Sequence, residues 1–401
     1  METKKCRSCG SSHLISVLDL GDQPWCNDLV TPETCDSVKT YPLHLVSCRH
    51  CDLLQLNYTV PKEVMFKDHG YLSGMTDTLK KHFYDLAKEN IEQFDLVSSD
   101  LIVDIGGNDG TQLLQYKKQG LGNVINVESA DKIARRSSEA GIVTINGFFN
   151  KDLVKGAFKE KSAKLINAAG VFFHLEELHS VIEGIKYLLA KDGVFTVQCM
   201  YAGELVKNQS FDMIYHEHLC YYTLDSLGKL LKPYGLTIFD AYHSPIHSGS
   251  LIVKVCHGDS YLPTGRYYDT EEMDKQFTLT DFLRFADKIR DQKDVLYAYL
   301  NSLKKQGKTI YAYGAPAKGN TLLNYEGIDN KVIDKAVEIN DLKIGNMLPM
   351  SNIPIVKESP DDLPDYYLLL SHNFQKEILE KNKGNGVKFI VPFPEIKVLE
   401  A

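Results

Sequence analysis

The sequence predicts an α/β fold in which a small cysteine-bearing module precedes two units of alternating strands and helices. Two Cys-x-x-Cys pairs fall within the first 51 residues. Further along, an apolar run at 101–105 passes through a glycine-rich turn into a helical stretch, and the same order recurs from 309 to 323. Strand, tight loop and helix in this order are typical of a parallel sheet with crossover helices. A chain of 401 residues is also too long for one ordinary core.

The composition disfavours several classes of partner. The formal net charge is −8 and the sequence pI is about 5.9, so no basic field favours nucleic-acid binding. No stretch approaches the roughly 18 consecutive apolar residues that cross a membrane, and the N-terminus lacks the apolar core of a signal peptide. We therefore expect a cytoplasmic protein with neither nucleic acid nor a membrane as its partner.

The cysteine spacing predicts a metal site in the first part of the chain, which we place at 1–70. Two knuckles of this kind suit zinc held by four thiolates; their cysteines are Cys6, Cys9, Cys48 and Cys51. Four thiolates leave no open coordination position, so the expected metal is structural. Its binding energy, about 10–16 kcal/mol, can hold together a module with little core of its own. Cys26 and Cys35 are the alternative ligands, although their longer spacing does not make a knuckle.

The glycine-rich turn at 101–110 is the first candidate ligand site. It places Asp104 at the carboxyl end of a buried strand, where ligands of open α/β sheets bind, and Gly106 lets a ligand approach the backbone. The next strand, 123–127, leads into Glu128, an acidic position that commonly accepts the ribose hydroxyls of an adenosine cofactor. Neither Gly-x-Gly-x-x-Gly nor a phosphate-binding Gly-Lys-Ser/Thr is present, which disfavours NAD and ATP. A purely structural strand–turn–helix is the alternative interpretation.

With Glu128 following it, Asp-Ile-Gly-Gly-Asn-Asp-Gly resembles the S-adenosylmethionine (SAM) loop of class I methyltransferases, which are Rossmann-like α/β domains. The resemblance implies SAM as the cofactor and includes Asn108 among its contacts. It also implies that the end of a third strand, 142–145, faces the adenine ring. Asn146 suits that position because an amide both donates and accepts hydrogen bonds, and Phe148 lies beside it. We place this domain at 71–258.

Further strands and helices are predicted around this loop. Apolar runs predict strands at 164–169, 193–200, 237–241 and 249–256, and periodicity predicts helices at 178–189 and 224–234. A largely helical stretch at 62–94 precedes the domain, with Met75, Leu79, Phe83 and Leu86 on one face. After the domain, 280–306 predicts one long amphipathic linker helix capped by Thr280.

The densest cluster of reactive side chains lies at 211–222, just after the fifth strand. It holds two histidines, a glutamate and three tyrosines. His-Glu-x-x-His is missing, which argues against a metalloprotease, and His216 and His218 would point in different directions on a helix. A polar helix start packed by tyrosines is the alternative. Two candidates lie outside the cluster: Tyr71, in the joint before the SAM domain, and His174, at the carboxyl end of the fourth strand.

A second α/β unit, which we place at 259–401, has its first strand at 309–312. That strand leads into Gly-Ala-Pro-Ala-Lys-Gly-Asn and a helix carrying Leu322 and Leu323. A glycine-bounded turn at a helix N-terminus is an anion site, and Lys318 adds a point charge, so we expect a nucleotide pyrophosphate there with Asn320 beside it. Strands at 336–339, 353–356, 366–371 and 387–391 and a helix at 374–382 complete the unit. The alternative is a folding partner that merely caps the cleft.

The order of these motifs resembles, over nearly the whole chain, the SAM-dependent sugar C-methyltransferases that act on nucleotide-linked keto-deoxysugars. The C-3′ methyltransferases of TDP-sugar pathways are the most similar in kind. The matching motifs are the cysteine knuckles, Asp104-Ile-Gly-Gly-Asn-Asp-Gly, Phe211-Asp-x-Ile-Tyr215-His216-Glu217-His218, His247-Ser248-Gly249-Ser250 and Tyr313-Gly-Ala-Pro-Ala-Lys318-Gly-Asn320. The resemblance implies a nucleotide-sugar substrate held by the C-terminal Rossmann-like domain, with His247 facing the sugar.

The chemistry of such a reaction assigns roles to the clustered residues. A sugar carbon becomes a nucleophile only when a neighbouring carbonyl acidifies its proton, so methylation at C3 of a 4-keto sugar needs a base and an enolate stabiliser. An imidazole, with an ordinary pKa of about 6.5, suits the base. We predict His218 as that base, with Glu217 accepting a hydrogen bond from its ring or binding a sugar hydroxyl. Tyr215, Tyr71 and His174 are the expected donors to the oxyanion, and His174 is the alternative base.

Three other classes of function are weighed against this prediction. A zinc-bearing RNA methyltransferase would show the same loop and knuckles but should be basic. A non-catalytic protein that binds SAM or a nucleotide sugar would not need the Tyr-His-Glu-His cluster. An O- or N-methyltransferase of a nucleotide sugar is the nearest enzymatic rival, and it needs no enolate stabiliser because oxygen and nitrogen are already nucleophiles. We expect a monomer.

Overall fold

Three sheets organise the computed structural model, which describes residues 1–66, 72–246 and 249–401. Its strands, β1 to β17, are Leu14–Pro24, Thr40–Cys48, Leu54–Leu56, Leu101–Ile105, Val124–Glu128, Val143–Asn146, Ala163–Ala169, Leu189–Met200, Cys220–Tyr221, Leu236–Ser244, Ser250–His257, Ile310–Tyr313, Lys335–Glu338, Ile355–Lys357, Tyr366–Leu369, Lys388–Val391 and Lys397–Glu400. Its α-helices, α1 to α13, are Lys62–Phe66, Asp77–Gln93, Thr111–Lys118, Asp131–Glu139, Lys151–Ala157, Leu178–Leu188, Ala202–Asn208, Leu224–Leu231, Gly265–Asp274, Leu279–Gln292, Val295–Lys305, Ala317–Glu326 and Gln375–Lys381. None of these helices is long and apolar enough to cross a bilayer.

The first sheet combines the N-terminal module with a strand from far along the chain. Its order is β1-β2-β3-β9, and all three strand pairs are antiparallel. The last strand, β9, belongs to the reactive segment at 211–222, where Tyr221 pairs with Leu54 of β3. The cysteine-bearing module is therefore hydrogen-bonded directly to the segment that carries the candidate catalytic residues.

The central sheet is the predicted Rossmann-like unit, with the order β10-β11-β8-β7-β4-β5-β6. Strand β11 is antiparallel to both of its neighbours, and the other pairs are parallel. The chain enters at β4 and winds outward to both sides, so ligands are expected outside the carboxyl ends of β4 and β7. The predicted strands are confirmed to within a few residues, although β8 begins earlier, at Leu189, directly after α6.

The C-terminal sheet has the order β14-β13-β12-β15-β16-β17, and only the edge pair β16–β17 is antiparallel. Its strands and the helix α12 confirm the second α/β unit, whereas β17 has no counterpart among the predicted elements. The switch point lies between β12 and β15. Gly314, which directly follows β12, has a φ of +83°, and a Cβ added to this residue would overlap the Ser371 hydroxyl.

One buried apolar cluster spans all three sheets. It includes Leu54 of the first sheet, Ile166 of the central sheet and Leu368 of the C-terminal sheet. Two smaller clusters pack on other faces of the central and C-terminal sheets. The three predicted parts thus share a core, and the domain boundaries after residues 70 and 258 stay predictions.

The predicted linker helix at 280–306 is wrong as a single helix. Two helices, α10 and α11, replace it, because Asp294 adopts a left-handed conformation with φ +69° and its N–H donates to Glu326 Oε2 at 3.0 Å. The predicted cap is also wrong. Thr278 is the N-cap and forms a capping box with Asp281, which places Thr280 inside the helix.

Two other helical predictions need correction. The stretch at 62–94 divides into α1 and α2, and Leu79 and Phe83 of the predicted apolar face are buried in α2. Met75 is 54% exposed and lies in a short 3-10 turn before that helix. The alternative of a helix start at 211–222 is wrong too, because the segment forms a 3-10 turn at Phe211–Met213 and then β9.

Candidate active site

The N-terminal cysteines form one compact cluster. The sulfur atoms of Cys6, Cys9, Cys48 and Cys51 all lie within 4.8 Å of one another, with Cys6 Sγ 3.4 Å from Cys51 Sγ. Four sulfurs placed tetrahedrally about 2.3 Å from a zinc ion are about 3.8 Å apart, so the residues fit zinc. All four positions would be filled by protein, which makes the metal structural. The alternative ligands, Cys26 and Cys35, are not part of the cluster.

Strand β4 carries Asp104 to the cofactor side of the central sheet. Its side chain is 1% exposed, and neither carboxylate oxygen has a hydrogen-bond partner among the described residues. Burial, and next the charge of Glu128, raise the pKa of Asp104 well above its usual range. A buried carboxyl left without partners in this way is suited to receive donors from a ligand.

Gly106 and Gly107, directly after β4, lie so close to neighbouring atoms that a larger residue would not fit at either position. A Cβ on Gly107 would lie 2.5 Å from Asn126 Oδ1 and 2.7 Å from Asp104 Oδ2. A Cβ on Gly106, whose φ is +61°, would lie 2.7 Å from Cγ2 of Val171 in the loop after β7. The loops after β4 and β7 therefore touch, with the backbone of Gly106 against the side chain of Val171.

Glu128, the last residue of β5, holds the loop in place. Its Oε2 accepts the backbone N–H of Asn108 at 3.0 Å, and its Oε1 accepts that of Ala130 at 2.8 Å. A carboxylate at the end of this strand suits ribose hydroxyls. Asn108, with φ +53°, accepts the Ser73 N–H through its side chain at 2.9 Å. The orphaned Asp104, the glycine cradle and this carboxylate together fit SAM.

Asn146 and Phe148 lie at the next strand's end, as predicted. The Asn146 side chain is exposed and donates to the Glu128 carbonyl at 3.0 Å, which places it next to Glu128. The ammonium of Lys62 lies 4.6 Å from the centre of the Phe148 ring. Helix α1 therefore covers this edge of the cofactor site.

His218 is buried and oriented by the backbone. Its Nδ1 lies 2.8 Å from the carbonyl oxygen of Met213. A carbonyl oxygen only accepts hydrogen bonds, so Nδ1 carries the proton, and Nε2 is the nitrogen that can take one. The Tyr215 ring packs against the imidazole, with 3.8 Å between ring centres, and Phe173 meets it edge-on at 4.7 Å.

His174 has the same tautomer and lies beside His218. Its Nδ1 is 2.5 Å from the carbonyl oxygen of Glu217, and its ring centre is 5.1 Å from that of His218. Its backbone N–H donates to the carbonyl of Val171, the residue that touches Gly106. The structure thus brings together His218, His174 and Tyr215 next to the cofactor loop.

The Glu217 carboxylate is held by the N-terminal module. Its Oε1 accepts the Trp25 indole N–H at 2.6 Å and the Asn27 amide N–H at 2.6 Å. Of the two predicted options for Glu217, the described contacts do not include a bond to the His218 ring, whose Nδ1 is bonded to Met213. Neighbouring His216 is 1% exposed and contacts the Tyr41 carbonyl at 3.2 Å, and burial lowers its pKa.

The predicted anion-binding cation, Lys318, lies inside the protein. Its ammonium is 2.9 Å from His372 Nε2 and 3.9 Å from Asp212 Oδ2, and burial lowers its pKa to about 8. Although burial alone would raise the pKa of Asp212, the facing His372 and Lys318 lower it. Asp212 belongs to the reactive segment, so this network joins that segment to the C-terminal sheet.

Asn320 is also buried and makes an internal contact. Its Nδ2 donates to the carbonyl of Cys26 at 2.6 Å, which ties α12 to the N-terminal module. The remaining candidates, Tyr71 and His247, lie outside the described residues.

Sequence reasoning missed Trp25, Asn27 and His372. Trp25 and Glu217 are 192 residues apart, and no local pattern marks a contact over that distance. The sequence marks Trp25 only through composition, since it is the single tryptophan of the chain.

Three family models match consecutive parts of the chain. A zinc binding domain matches residues 6–66, a methyltransferase domain matches 79–241, and a C-methyltransferase C-terminal domain matches 245–394. Among curated proteins, the chain is similar to the C-methyltransferase NovU of Streptomyces niveus. The two are 32% identical over 408 residues, which cover 99% of this chain and 97% of that protein.

Solved structures resemble a smaller part of the chain. A complex between the Haloferax volcanii Trm112 methyltransferase activator and a methyltransferase matches at 15% identity and a TM-score of 0.38, covering 45% of this chain and 95% of that one. The CurJ carbon methyltransferase matches at 13% identity and the same TM-score, covering 46% of this chain and 56% of that one.

Proposed function

We propose that this chain, which belongs to the C-methyltransferase family, methylates C-3′ of a nucleotide-linked 4-keto-6-deoxysugar, with TDP as the nucleotide. The observation that carries the proposal is a pair of imidazoles, buried His218 and half-buried His174, each fixed by a backbone carbonyl beside the cofactor loop. A carbon acceptor needs a base that can reach an acidified C–H, and this pair supplies one. The product would be a branched-chain deoxysugar.

In the proposed reaction, His218 is the base. Its Nε2 takes the proton from C-3′, and the electron pair of that C–H bond spreads onto the adjacent C-4′ carbonyl oxygen. A base of this kind accelerates a reaction by roughly 10²–10⁴-fold. The carbonyl of Met213 then faces a protonated imidazole whose Nδ1–H it already accepts, which stabilises the charged ring.

The developing oxyanion needs a hydrogen-bond donor. Neutral His174 presents no Nε2 proton, because its single N–H is directed at the Glu217 carbonyl, so it donates there only as an imidazolium. A phenol hydroxyl carries its own proton, and the Tyr215 ring packs against that of His218 with 3.8 Å between ring centres. Tyr215 is therefore our first choice for the donor, with Tyr71 as a second candidate, and one well-aimed donor contributes about 2.7–4 kcal/mol. His174 stays the alternative base.

The cofactor is SAM, which supplies an electrophilic methyl group on a sulfonium when it is bound. We assign its ribose to Glu128 and its adenine edge to Asn146 and Phe148. The remaining part would rest on the loop that holds Asp104, Gly106 and Asn108. Because the loops after β4 and β7 touch, a ligand on the first lies close to His174 on the second.

Substrate binding is assigned to Glu217 and the C-terminal unit. The Glu217 carboxylate would accept a sugar hydroxyl. Lys318 and Asn320 were predicted to meet the pyrophosphate. Their internal bonds to His372 and Cys26 favour a supporting role in the wall of the site. His247 stays a predicted sugar contact.

The nearest rival, an O- or N-methyltransferase of a nucleotide sugar, would need no donor to an enolate oxygen, because its acceptor atom is already a nucleophile. An RNA methyltransferase is opposed by the formal net charge of −8. One experiment separates carbon methylation from all of these. Purified enzyme is incubated in D₂O with TDP-4-keto-6-deoxysugar and without SAM, and the recovered sugar is analysed by mass spectrometry and NMR.

We expect deuterium at C-3′ that depends on enzyme. Adding SAM in a second incubation should then raise the mass of the sugar by one methyl group, attached to carbon. A methyl group found on oxygen or nitrogen would contradict the proposal, as would methylation without any enzyme-dependent exchange.

A further inference from the structure

Besides the β3–β9 pairing, the segment at 211–222 meets the N-terminal module at a short stretch, residues 25–27. Trp25 and Asn27 both donate to the same oxygen, Oε1 of Glu217, at 2.6 Å each. Two donors on one oxygen fix both the position and the rotation of a carboxylate, because each restricts a different direction. Glu217 is 3% exposed, so its charge depends on such partners.

Residues 25–27 are in turn hydrogen-bonded to the C-terminal unit. Between the two donors, the carbonyl of buried Cys26 accepts the Asn320 amide N–H at 2.6 Å. A few residues later, Val30 and Met347 bond as an antiparallel bridge, through Val30 N–H to the Met347 carbonyl at 3.1 Å and the reverse at 2.7 Å. These contacts with the C-terminal unit hold residues 25–27 next to Glu217.

A cation lies near the same carboxylate. Lys343 donates to the Ala315 carbonyl at 2.7 Å and has no carboxylate within ion-pair distance among the described residues. Burial lowers the pKa of Lys343, while Glu338 and then, more weakly, Glu217 act against this through their charges. Two N–H donors therefore hold the Glu217 carboxylate, and the charge of Glu217 also acts on buried Lys343.

We propose that Trp25 and Asn27 are positioning residues for the reaction, which hold the Glu217 carboxylate in place as an acceptor for a substrate hydroxyl. The role given to Glu217 rests on the proposed function, whereas its bonds to Trp25 and Asn27 do not. In this arrangement the zinc-bearing module is part of the active site, because it supplies the two donors. Substrate hydroxyls can then only donate to Glu217, which gives the site a preference for hydroxyl-bearing over ether- or deoxy-analogues.

The single tryptophan makes the contact directly measurable. In protein labelled with ¹⁵N-indole tryptophan, the chain gives one indole N–H signal, from Trp25. We expect Glu217→Gln to move that signal upfield, because a bond to a neutral amide oxygen is weaker than one to a carboxylate. Asp28→Ala is the matched control. Asp28 is the exposed neighbour of Asn27, and its removal should leave the signal in place.

Kinetics test the positioning role. We expect Trp25→Phe and Asn27→Ala each to lower kcat about tenfold, since a hydrogen bond to a charged group is lost. The KM for SAM should stay unchanged, and Asp28→Ala should behave as wild type. The effects of Asn27→Ala and Glu217→Gln should also be less than additive, because both act on one carboxylate.

Two results would overturn the inference. An indole signal that is the same in wild type and Glu217→Gln would show that the bond does not exist in solution. Wild-type kcat in both Trp25→Phe and Asn27→Ala would show that the bond does not matter for turnover. If instead wild-type enzyme neither exchanges deuterium nor methylates the ketosugar, the proposed function fails, while the indole spectrum still decides on the contact.

Discussion

The imidazole rings of His174 and His218 lie 5.1 Å apart, and each directs its Nδ1–H to a backbone carbonyl. The two carbonyls, of Glu217 and Met213, belong to the same short segment. One loop conformation therefore sets the tautomer of both rings, and both offer Nε2 as the basic nitrogen. The protonation pattern of the two rings therefore depends on the backbone conformation of the segment that carries Met213 and Glu217.

The first prediction concerns His218→Asn. We expect solvent exchange at C-3′ and methyl transfer to fall by roughly 10²–10⁴-fold, because the base is lost. SAM affinity, measured by calorimetry, should not change, since no cofactor contact is assigned to this ring. His179→Asn, at an exposed histidine of α6, is the control and should be fully active. Near-normal exchange in His218→Asn would transfer the role of base to His174.

The second prediction concerns the glycine cradle. Gly107→Ala places a Cβ 2.5 Å from Asn126 Oδ1 and 2.7 Å from Asp104 Oδ2, so the loop must shift. We expect SAM binding to weaken at least tenfold, or about 1.4 kcal/mol, with a lower melting temperature. Gly122→Ala meets nothing within 4 Å and should behave as wild type in both measurements. Equal SAM affinity in Gly107→Ala and Gly122→Ala would show that this loop is not part of the cofactor site.

These two sites show what the sequence could predict. Asp104, Glu128 and Asn146 were found because each follows an apolar run, and parallel strands bring their carboxyl ends to one edge. His174 and His218 were found in the same way, as polar residues after strands. Their places at the strand ends follow from local pattern and sheet topology, whereas the roles given to them also rest on the resemblance to known methyltransferases.

Other features could not be predicted because they depend on contacts between distant segments. The amphipathic spacing continues from α10 into α11, so periodicity gives no sign of the break at Asp294, which α12 imposes through Glu326. Lys318 is predicted as the cation of an anion site, and nothing in its local motif indicates that Asp212, about a hundred residues earlier in the chain, faces it. The Thr278 cap differs from these features, because the sequence does contain a signal for it: Thr-x-x-Asp at 278–281 is a capping pattern.

The third prediction concerns zinc. Cys48→Ser, or removal of the metal by a chelator, should lower the melting temperature strongly, because structural zinc contributes about 10–16 kcal/mol of binding energy. Methyl transfer should be lost with it, since β3 follows the second knuckle and pairs with β9. Cys35→Ser, outside the sulfur cluster, should leave zinc content and activity unchanged. Full activity in zinc-free enzyme would mean that the module folds without its metal.

The fourth prediction concerns Lys318 and pH. Burial lowers its pKa from an ordinary 10.5 to about 8, so between these values the unfolded chain binds a proton that the folded chain has released. The free energy of unfolding must then rise with pH in this window, by at most about 3 kcal/mol from this residue.

Urea unfolding of wild type and Lys318→Met from pH 7.5 to 10.5 measures that contribution. We expect the gap in free energy of unfolding between wild type and Lys318→Met to widen in favour of wild type as pH rises, because only wild type carries the buried amine that releases its proton on folding. Lys331→Met, at an exposed lysine of the same unit, should show a constant gap near zero. A gap for Lys318→Met that stays flat or narrows toward pH 10.5 would mean that Lys318 is fully charged in the folded protein. Its ammonium would then be available to an anionic substrate, as the sequence first suggested.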